Sequence, residues 1–183
     1  MRDAAPPYAN EGPHALWHVS ENPSLERFEP HVSATAVESE PLVWAVDTRH
    51  LPLYWFPRDC PRGTFWAHAA TDPADAERLL GDAERVHIVE EVWHERMRTT
   101  PVYAYRLPAA AFERHPGVGG YWISRSPVEP SDLTRLGDLV DLHKRAGIEL
   151  RVLPNLWPVW DAVVASTLEF SGMRLRNALP RPA

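Results

Sequence analysis

Residue types able to do chemistry gather in one stretch of the chain, residues 51–67 (LPLYWFPRDCPRGTFWA). It holds Arg58 and Arg62, the acid Asp59 and the only cysteine of the chain, Cys60. Two guanidinium groups on a proline-bounded turn can each form a fork of hydrogen bonds to phosphate or carboxylate oxygens. The stretch therefore predicts one wall of an anion-binding cleft. The alternative is that Asp59 pairs with one arginine and only holds the turn in shape.

Cys60 is a candidate nucleophile, because a thiolate beside two arginines has a lowered pKa. The alternative is a small packed residue, since no Cys-His-Asn signature accompanies it elsewhere in the sequence. Cysteine-dependent hydrolysis is therefore the third of three functional hypotheses.

An early segment, residues 15–20 (ALWHVS), supplies the second candidate group. Its alternation predicts a strand with His18 and Ser20 on one face and Trp17 and Val19 on the other. An imidazole titrates near neutral pH, so His18 is a candidate to orient a ligand or to transfer a proton. The alternative is a structural histidine whose nitrogens are satisfied by the protein.

The histidines do not predict a metal site. His14 falls on the same predicted face as His18, but no third and fourth ligand follows at a suitable spacing. Residues 87–94 do not form an H-E-x-x-H unit.

Composition limits the class of protein. The chain has 183 residues, 44% of them apolar, and a formal charge of −6, with basic residues scattered among the acids. This predicts no binding to duplex nucleic acid, which needs clustered positive charge. One cysteine cannot form an internal disulfide, no apolar run is long enough for a membrane span, and no apolar signal region is present. We therefore expect a soluble, cytoplasmic protein of unknown oligomeric state.

Short elements separated by rigid connections are expected from the 19 prolines. Short strand patterns alternate with short helical patterns and show no βαβ rhythm, which predicts an α+β fold with a mixed or antiparallel sheet. Helices are predicted over residues 72–80, 133–146 and 160–170. Residues 1–13 are predicted to be a loose tail, and residues 14–183 a single domain.

Six motifs together resemble an uncharacterised family of small bacterial proteins. They are LWHVS, PLVWAVDTRHLPLYWFPRDCPRGTFWA, RTT at 98–100, YRLP at 105–108, YWISRSPVEP and LWPVWDAVVASTL. The resemblance covers most of the chain after residue 15 and implies no activity.

A more distant resemblance is to the rifampin ADP-ribosyltransferases and tRNA 2′-phosphotransferases, in the order of the His-bearing first strand, PLVWAV and YWISRSPVEP. It implies a split pair of small, mostly antiparallel sheets with short flanking helices around an NAD cleft. It also implies that His18 holds a ribose and that Tyr54 stacks on nicotinamide. The carboxylate often found at the third position has no match, because YWISRSP offers Ser124 and no acid, and Glu129 follows a proline.

These observations lead to a main hypothesis and to alternatives that stay open. The first is a cleft for a phosphate-bearing or nucleotide-like ligand, with NAD as a candidate cofactor and ADP-ribosyl transfer as a candidate reaction. The second is a non-catalytic module that binds a small molecule or a protein. His18 and Tyr54 are the catalytic candidates. The candidate ligand-binding residues are His18, Ser20, Tyr54, Arg58, Arg62, Tyr121 and Ser124.

Overall fold

The computed structural model describes residues 15–32, 40–117 and 119–182, so the predicted tail at residues 1–13 lies outside the described residues. The chain divides into two compact units. The first takes its described residues from 15–55 and 101–137, and the second from 56–100 and 138–182. The single domain expected over 14–183 remains a prediction.

The described residues form ten strands and four short α-helices. The strands are β1 (Leu16–Ser20), β2 (Val43–Asp47), β3 (Arg62–Trp66), β4 (Arg85–Glu90), β5 (Tyr103–Leu107), β6 (Glu113–Arg114), β7 (Tyr121–Ser124), β8 (Asp132–Arg135), β9 (Glu149–Leu153) and β10 (Glu169–Met173). The helices are α1 (Pro73–Leu79), α2 (His94–Thr99), α3 (Leu139–Arg145) and α4 (Trp157–Val164). This is the α+β content, with mostly antiparallel sheets and short helices, that the sequence predicts.

The first unit is built on a six-stranded antiparallel sheet in the order β6-β7-β2-β1-β5-β8. One face carries the apolar core of this unit, which includes Leu16, Ala45 and Tyr105. His18 pairs with Tyr105 in the β1–β5 register and lies on this core side, while Trp17 pairs with Arg106 on the opposite side. The predicted alternation of β1 is therefore confirmed.

The second unit is built on a four-stranded sheet in the order β10-β3-β4-β9, in which β4 and β9 run parallel and the other pairs run antiparallel. Every residue of β3 is buried, which is typical of a strand covered on both faces. On one face, Gly63 of β3 pairs with Gly172 of β10. The indole of Trp160 in α4 packs directly over this glycine pair, so that a Cβ atom at either glycine would lie 2.6 Å from the ring.

Side-chain caps fix where two of the helices begin. Asp72 accepts from the Ala74 amide at 2.8 Å, and Pro73 occupies the first turn of α1, as the sequence predicts. Asp138 accepts from the Asp141 amide at 3.0 Å at the start of α3.

Two of the predicted helices are wrong in extent. Residues 133–146 are helical only in α3, because Leu133 belongs to β8, which pairs with β5, and Gly137 at φ +74 separates strand from helix. Residues 160–170 contain only the end of α4, because residues 169–173 form β10 on the edge of the second sheet.

Candidate functional site: an aromatic groove in the first unit

The ladder between β1 and β2 is short, and the groove lies where it ends. Cα pairing between these strands is confined to Leu16 with Asp47 and Trp17 with Val46, although each strand has five residues. Beyond that point the His18 imidazole bonds to the neighbouring strand, with Nδ1 3.1 Å from the Trp44 carbonyl oxygen. A carbonyl can only accept, so His18 Nδ1 donates this hydrogen bond.

An open groove of about 320 Å³, which includes space open to solvent, lies at this split in the sheet. We call it the aromatic groove, since half of its lining is tryptophan or tyrosine. It is lined by Trp17, His18, Val19, Trp44, Ala45, Val46, Tyr54 and Tyr121. None of these eight residues carries a carboxylate or a guanidinium group, so the groove offers aromatic faces, hydroxyls and one imidazole.

Tyr54 reaches the groove because the connection after β2 is held in one shape. Asp47 accepts from both the backbone amide and Nδ1 of His50, at 3.0 and 2.7 Å, and His50 then caps a 3₁₀ helix over Leu51–Tyr54. Burial acts to raise the pKa of Asp47, but the hydrogen bonds and charge of His50 hold it below the usual value. Gly120, at φ +78, is required here, because a Cβ atom would lie 2.0 Å from the His50 ring.

Two phenols meet inside the aromatic groove. The hydroxyls of Tyr54 and Tyr121 are 2.9 Å apart, and their rings are arranged edge to face. Trp44 lies edge to face with Tyr121, with ring centroids 6.2 Å apart, and its other neighbour is the His115 ring at 5.1 Å. The Trp17 indole donates to Thr48 Oγ1 at 3.0 Å, which fixes the plane of that ring. The rings are therefore held in place by the protein itself.

The structure brings together three of the predicted site residues: His18, Tyr54 and Tyr121 all line the aromatic groove. Ser20 does not line it, and its hydroxyl accepts from the Asn22 amide at 3.1 Å. Ser124 is buried, and its hydroxyl bonds with the backbone of Ser126.

Glu129, the acid nearest the motif in sequence, is exposed and lies 3.5 Å from the guanidinium of Arg27. It is not among the groove-lining residues. Sequence reasoning missed Trp17 and Trp44 as members of the site, and the signal available was the high tryptophan count together with their places on β1 and β2.

The two predicted arginines belong to the second unit and differ in exposure. Arg62 is 5% exposed. Its guanidinium donates to the Cys60 carbonyl oxygen and to the sulfur of Met173, both at 3.0 Å, and lies over the Phe56 ring. Arg58 is exposed at the tip of the turn. Ligand binding by Arg62 remains a prediction. These contacts show that its guanidinium group bonds to and packs against residues inside the second unit.

The Cys60 thiol is fully buried, and burial raises its pKa to about 12 even though Arg62 and Arg96 act to lower it. A thiol with such a pKa holds almost no thiolate near neutral pH. These properties are those of a packed core residue.

We expect Cys60 to resist alkylation by iodoacetamide in the folded protein and to react fully once the protein is unfolded in guanidinium chloride. Mass spectrometry after a timed exposure measures the modified fraction in each state. Rapid modification of the folded protein would contradict this expectation and support the cysteine-hydrolase hypothesis.

Two histidines form a second, fully buried polar feature, in the second unit. His143 Nδ1 lies 2.6 Å from the Leu139 carbonyl oxygen, so that nitrogen donates, and its Nε2 accepts from His87 Nδ1 at 2.9 Å. The remaining nitrogen, His87 Nε2, is buried and has no hydrogen-bond partner among the described residues. Burial lowers the pKa of His143 to about 4 and that of His87 well below the usual value. Both rings are neutral near pH 7.

No group of three or more histidine, cysteine, aspartate or glutamate side chains in the described residues is arranged to hold a metal ion. No helix in the described ranges is both long enough and apolar enough to span a membrane.

The fold and groove define an α+β protein with two separate, mostly antiparallel sheets and an aromatic groove at a split in the first of them. The chain belongs to the family of unknown function DUF6886, whose model matches residues 17–178. No curated protein and no solved structure matches the chain.

Proposed function

We propose that this is a cytoplasmic protein whose aromatic groove binds the ring-bearing end of a nucleotide-like ligand. The observation that carries the proposal is the convergence of Trp17, Trp44, Tyr54 and Tyr121 around one opening, with His18 at the split between β1 and β2. Flat aromatic walls suit a nucleobase or a nicotinamide ring, because stacking tolerates different ring substituents.

The polar groups of the groove can fix the orientation of such a ring. The His18 imidazole is held in the lining of the groove, because its Nδ1 donates to the Trp44 carbonyl oxygen. The paired hydroxyls of Tyr54 and Tyr121 both donate and accept, so they match a carboxamide or the edge of a base. A few polar groups in a mostly apolar opening are typical of small-molecule sites.

A second candidate function, ADP-ribosyl transfer from NAD, is favoured by the position of His18 beside the split in the sheet and of Tyr54 on the same groove. Both positions are those that the resemblance implies for binding of NAD. The groove lining contains no carboxylate. This favours binding of NAD over cleavage of its bond to nicotinamide. Release of nicotinamide from NAD by the purified protein is the assay that distinguishes transfer or hydrolysis from binding alone.

We expect NAD or one of its parts, AMP, ADP-ribose or nicotinamide, to quench tryptophan fluorescence and to raise the melting temperature of the protein. A ligand at a hundred times its Kd stabilises the folded state by about 2.7 kcal/mol. Trp44→Ala removes one aromatic wall and is expected to weaken binding about tenfold, since stacking on one ring contributes about 1–3 kcal/mol. Isothermal titration calorimetry measures the affinities.

Tyr121→Phe and Tyr103→Phe form a matched pair for this experiment. Each removes one hydroxyl from a half-buried tyrosine of the first sheet, but only Tyr121 lines the groove. We expect Tyr121→Phe to weaken binding and Tyr103→Phe to leave it unchanged. Equal effects of the two variants, or no binding of any of these ligands at millimolar concentration, would exclude the proposal.

A further inference from the structure

Residues 178–182, which we call the strap, lie against the second unit without joining its sheet. Ala178 packs against the apolar cluster of this unit, and the four residues after it are exposed. Among the described residues, the backbone of 179–182 forms no hydrogen bond with another backbone group. The strap is therefore held by side chains of the second unit, in the way that a bound peptide is held, and not by a strand ladder.

Three side chains bind the backbone of the strap. Glu90 is fully buried at the end of β4, and both of its carboxylate oxygens lie 3.1 Å from the Leu179 amide nitrogen, which donates. Trp157 Nε1 donates to the Leu179 carbonyl oxygen at 2.7 Å, and Asn155 Nδ2 donates to the Pro180 carbonyl oxygen at 2.8 Å. Proline has no N–H group, so every polar backbone group of these two strap residues is satisfied.

The side chain of Arg181 is bound by one aromatic ring and one carboxylate. Its guanidinium group lies over the Trp157 ring, 4.1 Å from the centroid, and forms an ion pair with Asp161. Trp157 and Asp161 are one turn apart on α4 and therefore share a face of the helix. A planar guanidinium group can stack on a ring and pair with a carboxylate at the same time, so this position selects arginine over lysine.

The groups that bind the strap are also fixed by contacts of their own. Asn155 Oδ1 accepts from the Trp157 amide at 3.0 Å, which directs its Nδ2 outward. Glu90 Oε1 lies 3.5 Å from the amide nitrogen of Leu156, the residue between them. We call the set Glu90, Asn155, Trp157 and Asp161 the strap groove. Its arrangement is preorganised, which lowers the cost of binding an extended peptide.

We propose that the strap groove is a binding site for an extended segment of another protein in which an apolar residue is followed by proline and arginine. The strap occupies the groove in this chain and acts as an internal competitor for that partner. Proline suits the central position because it has no N–H group to satisfy and already favours an extended backbone. Recognition of proline-rich segments by aromatic side chains is a recurrent mode of peptide binding. This inference does not rest on the function proposed for the aromatic groove.

Fluorescence anisotropy with a labelled peptide of residues 177–182, Asn-Ala-Leu-Pro-Arg-Pro, tests the proposal on the full chain. In the wild type the strap competes with this peptide at a high effective concentration. Arg181→Gln weakens the strap through an exposed side chain and leaves the strap groove unchanged. We therefore expect the peptide to bind the Arg181→Gln variant about tenfold more tightly than it binds the wild type.

A second peptide and a matched pair of variants test the selectivity. In the Arg181→Gln chain, a peptide that itself carries Arg181→Gln is expected to bind about tenfold more weakly than the original peptide. Adding Asp161→Asn to that chain is expected to weaken binding of the original peptide about threefold. Asp141→Asn is the control, because Asp141 is equally exposed and also pairs with an arginine, Arg145 of α3. It is expected to leave binding unchanged.

Three results would overturn the proposal. The first is a folded Arg181→Gln chain that binds no peptide at millimolar concentration, since the strap would then be only a part of the fold. The second is an equal effect of Asp161→Asn and Asp141→Asn, which would mean general attraction to an acidic surface. The third is a dimer of the wild type, seen by sedimentation velocity and lost in Arg181→Gln, because the occupant would then be the strap of a second copy. Circular dichroism checks that each variant folds.

Discussion

Lowering the pH from about 7 to about 4 is expected to reduce the free energy of unfolding by roughly 3 kcal/mol through His143 alone, with His87 adding to the loss. Both pKa values are lowered in the folded protein, chiefly by burial. The unfolded chain therefore binds more protons than the folded chain does below pH 6.5. The stabilisation is complete above that pH and is lost as the pH falls to about 4.

Chemical denaturation at a series of pH values measures this effect, and single-histidine variants assign it. His87→Phe removes the ring whose Nε2 has no partner among the described residues and is expected to remove only the contribution of His87, so that the dependence due to His143 between pH 6.5 and about 4 remains. His68→Gln removes an exposed histidine of the same unit and is expected to leave the dependence unchanged. The lowered pKa of Asp75, about 2, affects stability mainly at more acidic pH. A stability that does not change over this range would show that the two imidazoles are not buried as a neutral pair.

Gly63→Ala is expected to destabilise the second unit by about 3 kcal/mol, the upper end of the cost of overpacking a core. The added Cβ would lie 2.6 Å from Trp160 and 2.9 Å from Ile88, both of which belong to the same apolar cluster. Gly172→Ala is expected to have a similar effect, because its Cβ would also meet the Trp160 ring at 2.6 Å. Urea denaturation measures the loss.

A double-mutant cycle shows whether the indole causes this cost. In a Trp160→Leu background the extra methyl group of Gly63→Ala has more room, so its penalty is expected to fall and the two changes are non-additive. Gly119→Ala is the control, because nothing lies within 4 Å of the added Cβ. Additive effects of Gly63→Ala and Trp160→Leu would mean that the glycine matters through its backbone conformation and not through the close approach of Trp160.

Local signals in the sequence predicted much of the fold, since several elements carry their own start and stop residues. Asp72, Pro73 and Gly81 mark α1, and alternation marks β1 and β5. Long-range pairing could not be read in the same way. Residues 133–135 fit a helical pattern but pair with β5, and β10 forms because residues 169–173 meet the free edge of β3. The same apolar spacing fits either a helix or a strand, and only the presence of a partner strand decides between them.

Local motifs in the sequence also predicted part of the candidate site. His18, Tyr54 and Tyr121 were chosen from single motifs, and all three line the groove. Trp44 could not be chosen from a motif in this way, because its place in the groove depends on where the β1–β2 ladder ends.

The division of each unit between two separate stretches of chain has a consequence for synthesis on the ribosome. β3 and β4 are made before β9 and β10, which cover their outer edges in the finished sheet. Between these times the chain makes 101–137, which belongs to the other unit. Until β9 and β10 are made, both outer edges of the β3–β4 pair are therefore unpaired. Unpaired strand edges are sites at which nascent chains associate with one another. Growth conditions that slow translation between residues 101 and 137 should thus favour aggregation over folding.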